Sequence, residues 1–184
     1  MKLTDWILID TETNGLRKPI HALDVGAQLM HGWERKGEPF QMFINHNIEI
    51  PHKITQLTGY TRASLTKNGE PPLKVYNAFR SYVNNLPIVA YNLSFDWDQV
   101  LIPEWIRLGV EPIGTRGFCV LKLARKLLKS SPTGNHKLQD LRDYYGLSGG
   151  TAHTALGDVD TTIDLIQKIL KPLAAEKRLV SWSD

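Results

Sequence analysis

The sequence predicts an α/β fold, a mixed sheet covered by helices. Three observations point there. Strand patterns crowd the first quarter of the chain. Helical patterns fill the remainder, broken by one short run that is apolar throughout. Gly and Pro fall between these patterns as punctuation and form no blocks. An order of strands first, then helices alternating with a strand, suits a sheet with helical layers. No linker, repeat or low-complexity segment divides the chain, so residues 1–184 read as one domain.

Trp6-Ile7-Leu8-Ile9 is apolar and partly β-branched, which predicts a buried strand. It runs into the polar stretch Asp10-Thr11-Glu12-Thr13-Asn14-Gly15. Leu23 to Trp33 predicts a second strand and Phe40 to Ile44 a third. Lys36-Gly37 supplies a turn between them, so the three strands form an antiparallel meander. Thr61 is placed to cap a short helix, and Pro71-Pro72 to start a longer one reaching about Asn84. Pro87 to Tyr91 is the uniformly apolar run, expected as a central strand. Ser94 is expected to cap a helix through Leu108 that ends at Gly109. Further helices are expected over Val120–Lys129, over Lys137–Tyr145 before Gly146, and from Thr154 to Lys171, where Pro172 bends or restarts the last one.

Composition narrows the function classes. The chain has 184 residues, enough for a substantial core. No apolar run approaches the ~20 residues that span a bilayer. The start, Met1 to Asp5, lacks a signal-peptide apolar region, and Cys119 is the one cysteine. A cytoplasmic, reducing location and a buried structural thiol are therefore expected. The net charge of +3, from 22 basic and 19 acidic side chains, hints weakly at an anionic partner. HExxH, Walker A, GxSxG and GxGxxG motifs are absent, so zinc-protease, nucleoside-triphosphatase and serine-hydrolase chemistry have no support.

Acids recur at three informative places. Asp10 and Glu12 follow a buried strand, and strand alternation puts positions i and i+2 on one face. Two carboxylates near a core repel and lose hydration unless a hard cation joins them. If the strand instead ends at Ile9, both are solvated turn residues, and the segment alone does not choose. Asp96 lies in the first turn of a helix just beyond a central strand. The helix dipole explains an acid there, as does a ligand site at a strand end; Asp98 competes with it. His153-Thr154-Ala155-Leu156-Gly157-Asp158 puts a histidine at a helix start and an acid one turn in. Asp160 and Asp164, four apart, are expected on an exposed face. Four carboxylates carry a formal charge of −4, which two Mg²⁺ or Mn²⁺ ions neutralise. Such a pair, about 3.5–4 Å apart, clamps an in-line phosphoryl displacement. A histidine with a pKa near about 6.5 takes a proton from attacking water near neutrality.

These segments resemble a known family. Ile9 to Leu16 resembles the first exonuclease motif of the DEDD superfamily, and Asn92 to Asp96 the second. His153 to Asp158 is similar to the third motif, HxAxxD, of the histidine-containing branch, the relatives of the polymerase III proofreading subunit. Leu57-Thr58-Gly59-Tyr60-Thr61 resembles a segment found between the first two motifs. The likeness covers roughly residues 5 to 171. It implies a ribonuclease-H-like, five-stranded mixed sheet. It implies that Asp10, Glu12, Asp96 and Asp158 are the metal-site acids, in preference to Asp98 and Asp160, with His153 as general base. It places Thr11, Thr13, Leu16, Leu57, Thr58, Asn92 and Phe95 around the terminal nucleotide, Leu16 acting as a wedge. Asn14 and Tyr91 depart from the common Thr and His, and this bears on the grip of the terminal base or sugar.

The implied activity is 3′→5′ hydrolysis from a DNA 3′ end, releasing nucleoside 5′-monophosphates. Trimming of RNA 3′ ends by the same site, and an inactive nucleic-acid-binding module, are the alternatives. A single-stranded 3′ end is the expected partner and a membrane is not. The short stretch after the last helix offers no long docking tail, which favours a stand-alone enzyme over a polymerase subunit; homodimerisation stays open. Lys122, Arg125, Lys126 and Lys129 form a basic helical stripe, either a phosphate track or an ordinary solvated face. Lys53 and Arg62 are further phosphate candidates. Trp6, Trp97 and Trp105 are expected in the core rather than stacked on bases.

Overall fold

The protein is described by a computed structural model over residues 4–128, 132–151 and 153–177. Its sheet, among these residues, has six strands. β1 (Asp5–Thr13) pairs antiparallel with β2 (Ala22–His31), which turns through the two-residue β3 (Glu34–Arg35) and also pairs antiparallel with β4 (Phe40–Phe43). β5 (Pro87–Ala90) lies parallel to β1, and β6 (Thr115–Cys119) parallel to β5. The meander and the central position of β5 are as expected. β6 was not anticipated, nor was the short β3.

Strand alternation divides β1 between two cores. Ile7 and Ile9 join one cluster with Val75, Tyr76, Phe79, Trp97 and Trp105. Trp6 and Leu8 join the other with Val120, Leu141, Val159 and Ile163. The sheet is thus covered on both faces. Trp6, Trp97 and Trp105 are core residues, as expected.

α1 (His52–Thr58) buries no residue and was not foreseen. α2 (Arg62–Asn68) begins with the Thr61 cap, whose side chain accepts from the Ser64 amide while Ser64 returns the bond. α3 (Pro72–Val83) starts on the predicted prolines and ends at Asn84. The next helix begins as wide π turns over Ser94–Leu101 and tightens into α4 (Ile102–Arg107). Ser94 is not its cap: the preceding Leu93 is already helical and makes no side-chain cap bond. α5 (Val120–Leu127) exposes Lys122, Arg125 and Lys126 opposite buried Leu123, Ala124 and Leu127, while Lys129 lies outside the described residues. α6 (Leu138–Tyr145) closes at Gly146 with φ 59°. α7 (Ala155–Leu165) continues through wide turns over Ile166–Leu170 into α8 (Lys171–Glu176), which carries Pro172 in its first turn. Among the described residues, no helix is long and apolar enough to cross a membrane.

Candidate active site

β1 does not stop at Ile9. It continues to Thr13, so Asp10 and Glu12 extend the face of Trp6 and Leu8 towards α7. Asp10 stands opposite Gly26, and Glu12 opposite Asp24, in the antiparallel ladder. Gly26 is what lets α7 approach. A Cβ there would lie 2.5 Å from the Leu156 nitrogen and 2.6 Å from the Ala155 carbonyl carbon. The Thr154 hydroxyl accepts from the Gly157 amide at 3.1 Å and caps α7, which sets Asp158 one turn in. His153, just before that cap, takes a left-handed backbone with φ 58°. That conformation is uncommon for a residue with a Cβ.

Asp96 reaches the same place from beyond the end of β5. It is only 3% exposed. Its Oδ1 accepts from the Thr11 amide at 3.0 Å and the Thr11 hydroxyl at 2.7 Å. Asp98, two residues on, is exposed and ion-paired with Arg116. Glu12, His153 and Asp158 bring ligand atoms within 4.8 Å of one another. Asp10, Glu12, Asp96, Asp158 and His153 all line one cavity of about 230 Å³, together with Asn92 and Phe95. A second cavity of about 650 Å³ adjoins it through Thr11, Glu12 and Phe95, and adds Thr13, Leu16, Leu57 and Thr58 to its lining. Leu16 is 79% exposed at its edge.

The acids sit at high electrostatic cost. Burial, reinforced by Asp96, Asp158 and Glu12, raises Asp10 well above the usual carboxylate range. Burial first, then Asp158, Asp24 and Asp96, pushes Glu12 to about 8. Burial carries Asp96 to about 7 against the opposing Thr11 bonds. Asp158 is raised by burial and partly held back by Gln139 and His153. Among the described residues no Lys or Arg forms an ion pair with any of the four.

A family model described as exonuclease, of the RNase T type, matches residues 7–166. The chain belongs to the exonuclease family. A Mycobacterium tuberculosis protein named as a bifunctional exonuclease/endonuclease is 25% identical over 178 residues, 93% of this chain and 27% of that protein. DNA polymerase III of the PolC type from Bacillus subtilis is 28% identical over 173 residues, 94% of this chain and 12% of the polymerase. The exonuclease chain thus spans about a quarter or less of these relatives. An exonuclease I structure solved to explain processivity superposes with TM-score 0.80 at 19% identity, covering 94% of this chain and 43% of that one. E. coli exonuclease I in complex with a dT13 oligonucleotide gives 0.77 at 18% identity, covering 95% and 43%. These likenesses establish the shared fold.

The other residues singled out in this exonuclease-family sequence stand in varied surroundings. Asn14 makes bonds to its own loop: its side-chain oxygen accepts from the His21 amide at 2.8 Å, and its backbone amide donates to the His21 carbonyl at 3.0 Å. Tyr91 is 8% exposed in the second core, its hydroxyl donating to the His136 carbonyl, so its ring packs while its edge lines the acidic cavity. Arg62 is engaged by Glu49 and Asn47. Lys53 does line the larger cavity. Cys119 is partly buried rather than buried, its thiol donating to the Tyr91 carbonyl at 3.3 Å. Asp160 pairs with Arg35, and Asp164 with Lys168, away from the acidic cavity's lining.

Two features have no counterpart in the sequence reading. Gln139 on α6 donates to Asp158 Oδ1 at 2.7 Å and so fixes its carboxylate; a glutamine on a helix gives no sequence signal of this. The other is a closed polar network beneath the Asn14–His21 loop. Glu104 accepts from His21 at 2.8 Å, from Arg107 at 2.9 Å and from Tyr76, with His46 at 3.5 Å. Arg107 also donates to the Ile20 carbonyl at 2.7 Å, and His46 contacts the Ala22 carbonyl at 2.9 Å. With its atoms committed to these partners and a guanidinium beside it, this cluster reads as an anchor for the loop.

Proposed function

We propose that this chain is a 3′→5′ exonuclease that removes nucleoside 5′-monophosphates from the 3′ end of a DNA strand. One observation carries the reading: four carboxylates with no paired Lys or Arg among the described residues line a small cavity with a histidine, and that cavity opens into a larger, largely apolar one. The donor set fits hard divalent cations. It is all carboxylate oxygen plus one imidazole, with no thiolate. The raised protonation of Asp10, Glu12 and Asp96 is what such a set shows when no positive charge stands among it. Asp10, Glu12, Asp96 and Asp158 would hold two Mg²⁺ or Mn²⁺ ions. When bound, the ions supply Lewis-acid stabilisation of the charge gathering on the scissile phosphate.

The chain's own groups do the rest. Leu57 and Phe95 receive the terminal base, and the backbone of Thr11 to Thr13 borders its sugar. Leu16 wedges against the neighbouring base, so a strand end frays before it enters. Asn92 lines the side of the reacting phosphate. His153 takes the proton from the water that attacks phosphorus in line. The Asp158 carboxylate stands beside it, their ligand atoms within 4.8 Å. The P–O3′ bond breaks, the departing O3′ of the shortened strand takes a proton from solvent to become its new 3′-hydroxyl, and the nucleoside 5′-monophosphate leaves with the new P–O bond. The oligonucleotide complex of the structural neighbour supports single-stranded DNA as the substrate.

Matched DNA and RNA strands, labelled at either end and incubated with Mg²⁺ or with chelator, test the reading. A 5′-labelled DNA strand should shorten stepwise while a 3′ label appears at once as mononucleotide, and chelator should stop both. A 3′ label retained on long fragments, or undiminished digestion by Asp10→Ala, contradicts it. Faster digestion of RNA than of DNA overturns the substrate assignment alone.

A further inference from the structure

Asp24 interrupts an apolar strand run, Ala22-Leu23-Asp24-Val25, and is fully buried. A carboxylate in that position costs free energy that an aliphatic side chain would not. It is also opposite Glu12 in the antiparallel ladder, and directly opposed residues share a face. One oxygen, Oδ2, accepts three hydrogen bonds from three different parts of the fold. Gln41 on β4 donates at 3.0 Å, the Tyr60 hydroxyl at 2.7 Å and the Ala155 amide at 3.0 Å.

Two of these donors belong to opposite sides of the site. Ala155 is the first residue of α7, two after His153 and three before Asp158. Its amide is one of the first-turn donors that a helix cannot satisfy internally. Neighbouring Gly26 removes the side chain that would hold α7 off the sheet. Asp24 and Gly26 together fix where α7 begins relative to β1. Tyr60 closes the segment after α1, where the Thr55 hydroxyl donates to the Tyr60 carbonyl at 2.8 Å. α1 itself, tied to Tyr60 by that bond, presents Leu57 and Thr58 to the larger cavity.

We propose that Asp24 is a positioning residue whose single oxygen registers the histidine side of the site against the nucleotide side. The inference rests on the exonuclease reading above. Through Ala155 it sets the distance from His153 to Glu12, and through Tyr60 it sets the depth at which the terminal nucleotide seats. The required precision is high, since a displacement of about 1 Å between reacting groups costs about 100-fold in rate.

Steady-state digestion of a single-stranded DNA by Asp24→Leu, Asp24→Asn and Tyr60→Phe tests this, with kcat taken per folded molecule well below each melting temperature. Asp24→Leu removes all three bonds and should lower kcat by about 100-fold. Asp24→Asn keeps an acceptor oxygen and should restore kcat to within about threefold of wild type, because the role is geometric and not one of charge. Tyr60→Phe cuts only the nucleotide-side link and should raise KM about threefold with kcat nearly retained. A purely structural residue would lower the melting temperature and leave kcat per folded molecule alone. Wild-type kcat in folded Asp24→Leu, or Asp24→Asn as slow as Asp24→Leu, overturns the proposal. If Asp24→Leu does not fold, unchanged KM in Tyr60→Phe overturns it. Asp10→Asn is the control. If it is inactive while Asp24→Leu is normal, this inference alone fails; if it is active, the exonuclease reading fails.

Discussion

Glu104 and Glu12 are both glutamates largely withdrawn from water, yet their protons are held oppositely. Burial alone would raise Glu104, but donors from His46, Tyr76 and Arg107 outweigh it and hold the carboxyl at about 2. Glu12 has the same penalty and meets other carboxylates instead of donors, so it rises to about 8. Glu104 is complete as an anion. It accepts hydrogen bonds from an arginine, a histidine and a tyrosine, and it anchors a loop. The Asp10–Glu12–Asp96–Asp158 group is incomplete without positive charge. A buried acid with its donors present contributes to the fold, whereas one whose counter-charge is missing marks a place where the counter-charge arrives from outside.

The sharpest way to break this contrast is to remove one acid from each cluster. Asp10→Asn should lower the digestion rate by at least about 1,000-fold, a barrier change of about 4 kcal/mol. It should not lower the melting temperature without divalent ions, because the lost carboxylate was a source of repulsion. It should, however, abolish the rise in melting temperature that Mg²⁺ gives the wild type, which is about 5–10 °C at an ion concentration near 100 times Kd. A metal-free variant that melts well below wild type would mean that Asp10 stabilises the fold as Glu104 does.

Glu104→Gln should show the reverse balance. It leaves Arg107 and the histidines facing a neutral amide, and breaking a buried pair costs about 3–5 kcal/mol. Because Arg107 is partly exposed, the lower end applies, and a fall of about 6–12 °C in melting temperature is expected. The rate per folded molecule should drop far less than in Asp10→Asn. A variant as stable as wild type would show that the network contributes nothing to the loop's anchorage.

pH separates the clusters without mutation. Glu12 and Asp96 bind protons more tightly folded than unfolded. Their stabilisation is therefore complete below the unfolded carboxylate range and is lost as pH rises through about 7 to 8. Glu104 is depressed, so its contribution is present above the unfolded value and is lost as pH falls through about 2. In chelator, the melting temperature should fall by at least about 3 °C between pH 5 and pH 8.5. Mg²⁺ should reverse that fall, and its apparent affinity should rise with pH as it displaces protons. A chelated protein that is more stable at pH 8.5 than at pH 5 would remove the case for an uncompensated acidic site.

What the sequence disclosed follows the same physics. The apolar run Trp6 to Ile9 is local, so the start of β1 could be read, but its continuation through Asp10 and Glu12 could not, because a polar strand end and a solvated turn share one local pattern. The ends of α3, α6 and α7 were legible because Pro71-Pro72, Gly146 and Thr154 act through their own backbone or nearest turn. β6 was not, because Thr115-Arg116-Gly117-Phe118-Cys119 is an edge strand with exposed residues at its start and no alternation to betray it. α1 was not, because it buries nothing and lacks a side-chain cap. The wide turns at Ser94 have no local pattern that announces them, and Leu93 before them is already helical, which is why the expected Ser94 cap failed. Asp24 had a faint signal, an acid inside an apolar run, but its partners lie as far away as Ala155. Gln139 had none.

The smallest expected effect settles a choice that local pattern left open. Asp96 and Asp98 are two residues apart in the same wide helical turn, and charge at a helix start would favour either. Asp96 is buried, takes both Thr11 donors and lines the acidic cavity. Asp98 pairs with Arg116 where both side chains are nearly half exposed. Exposed pairs contribute about 0.2–1 kcal/mol. Asp98→Ala should therefore shift the melting temperature by no more than about 4 °C. It should leave the digestion rate within about twofold of wild type, since the loss of so weak a surface pair does not reach the cavity. Asp96→Ala, on the same helix and with the same helix dipole, should remove digestion. Equal losses from both variants would mean that the dipole, and not the cavity, is what makes an acid here matter.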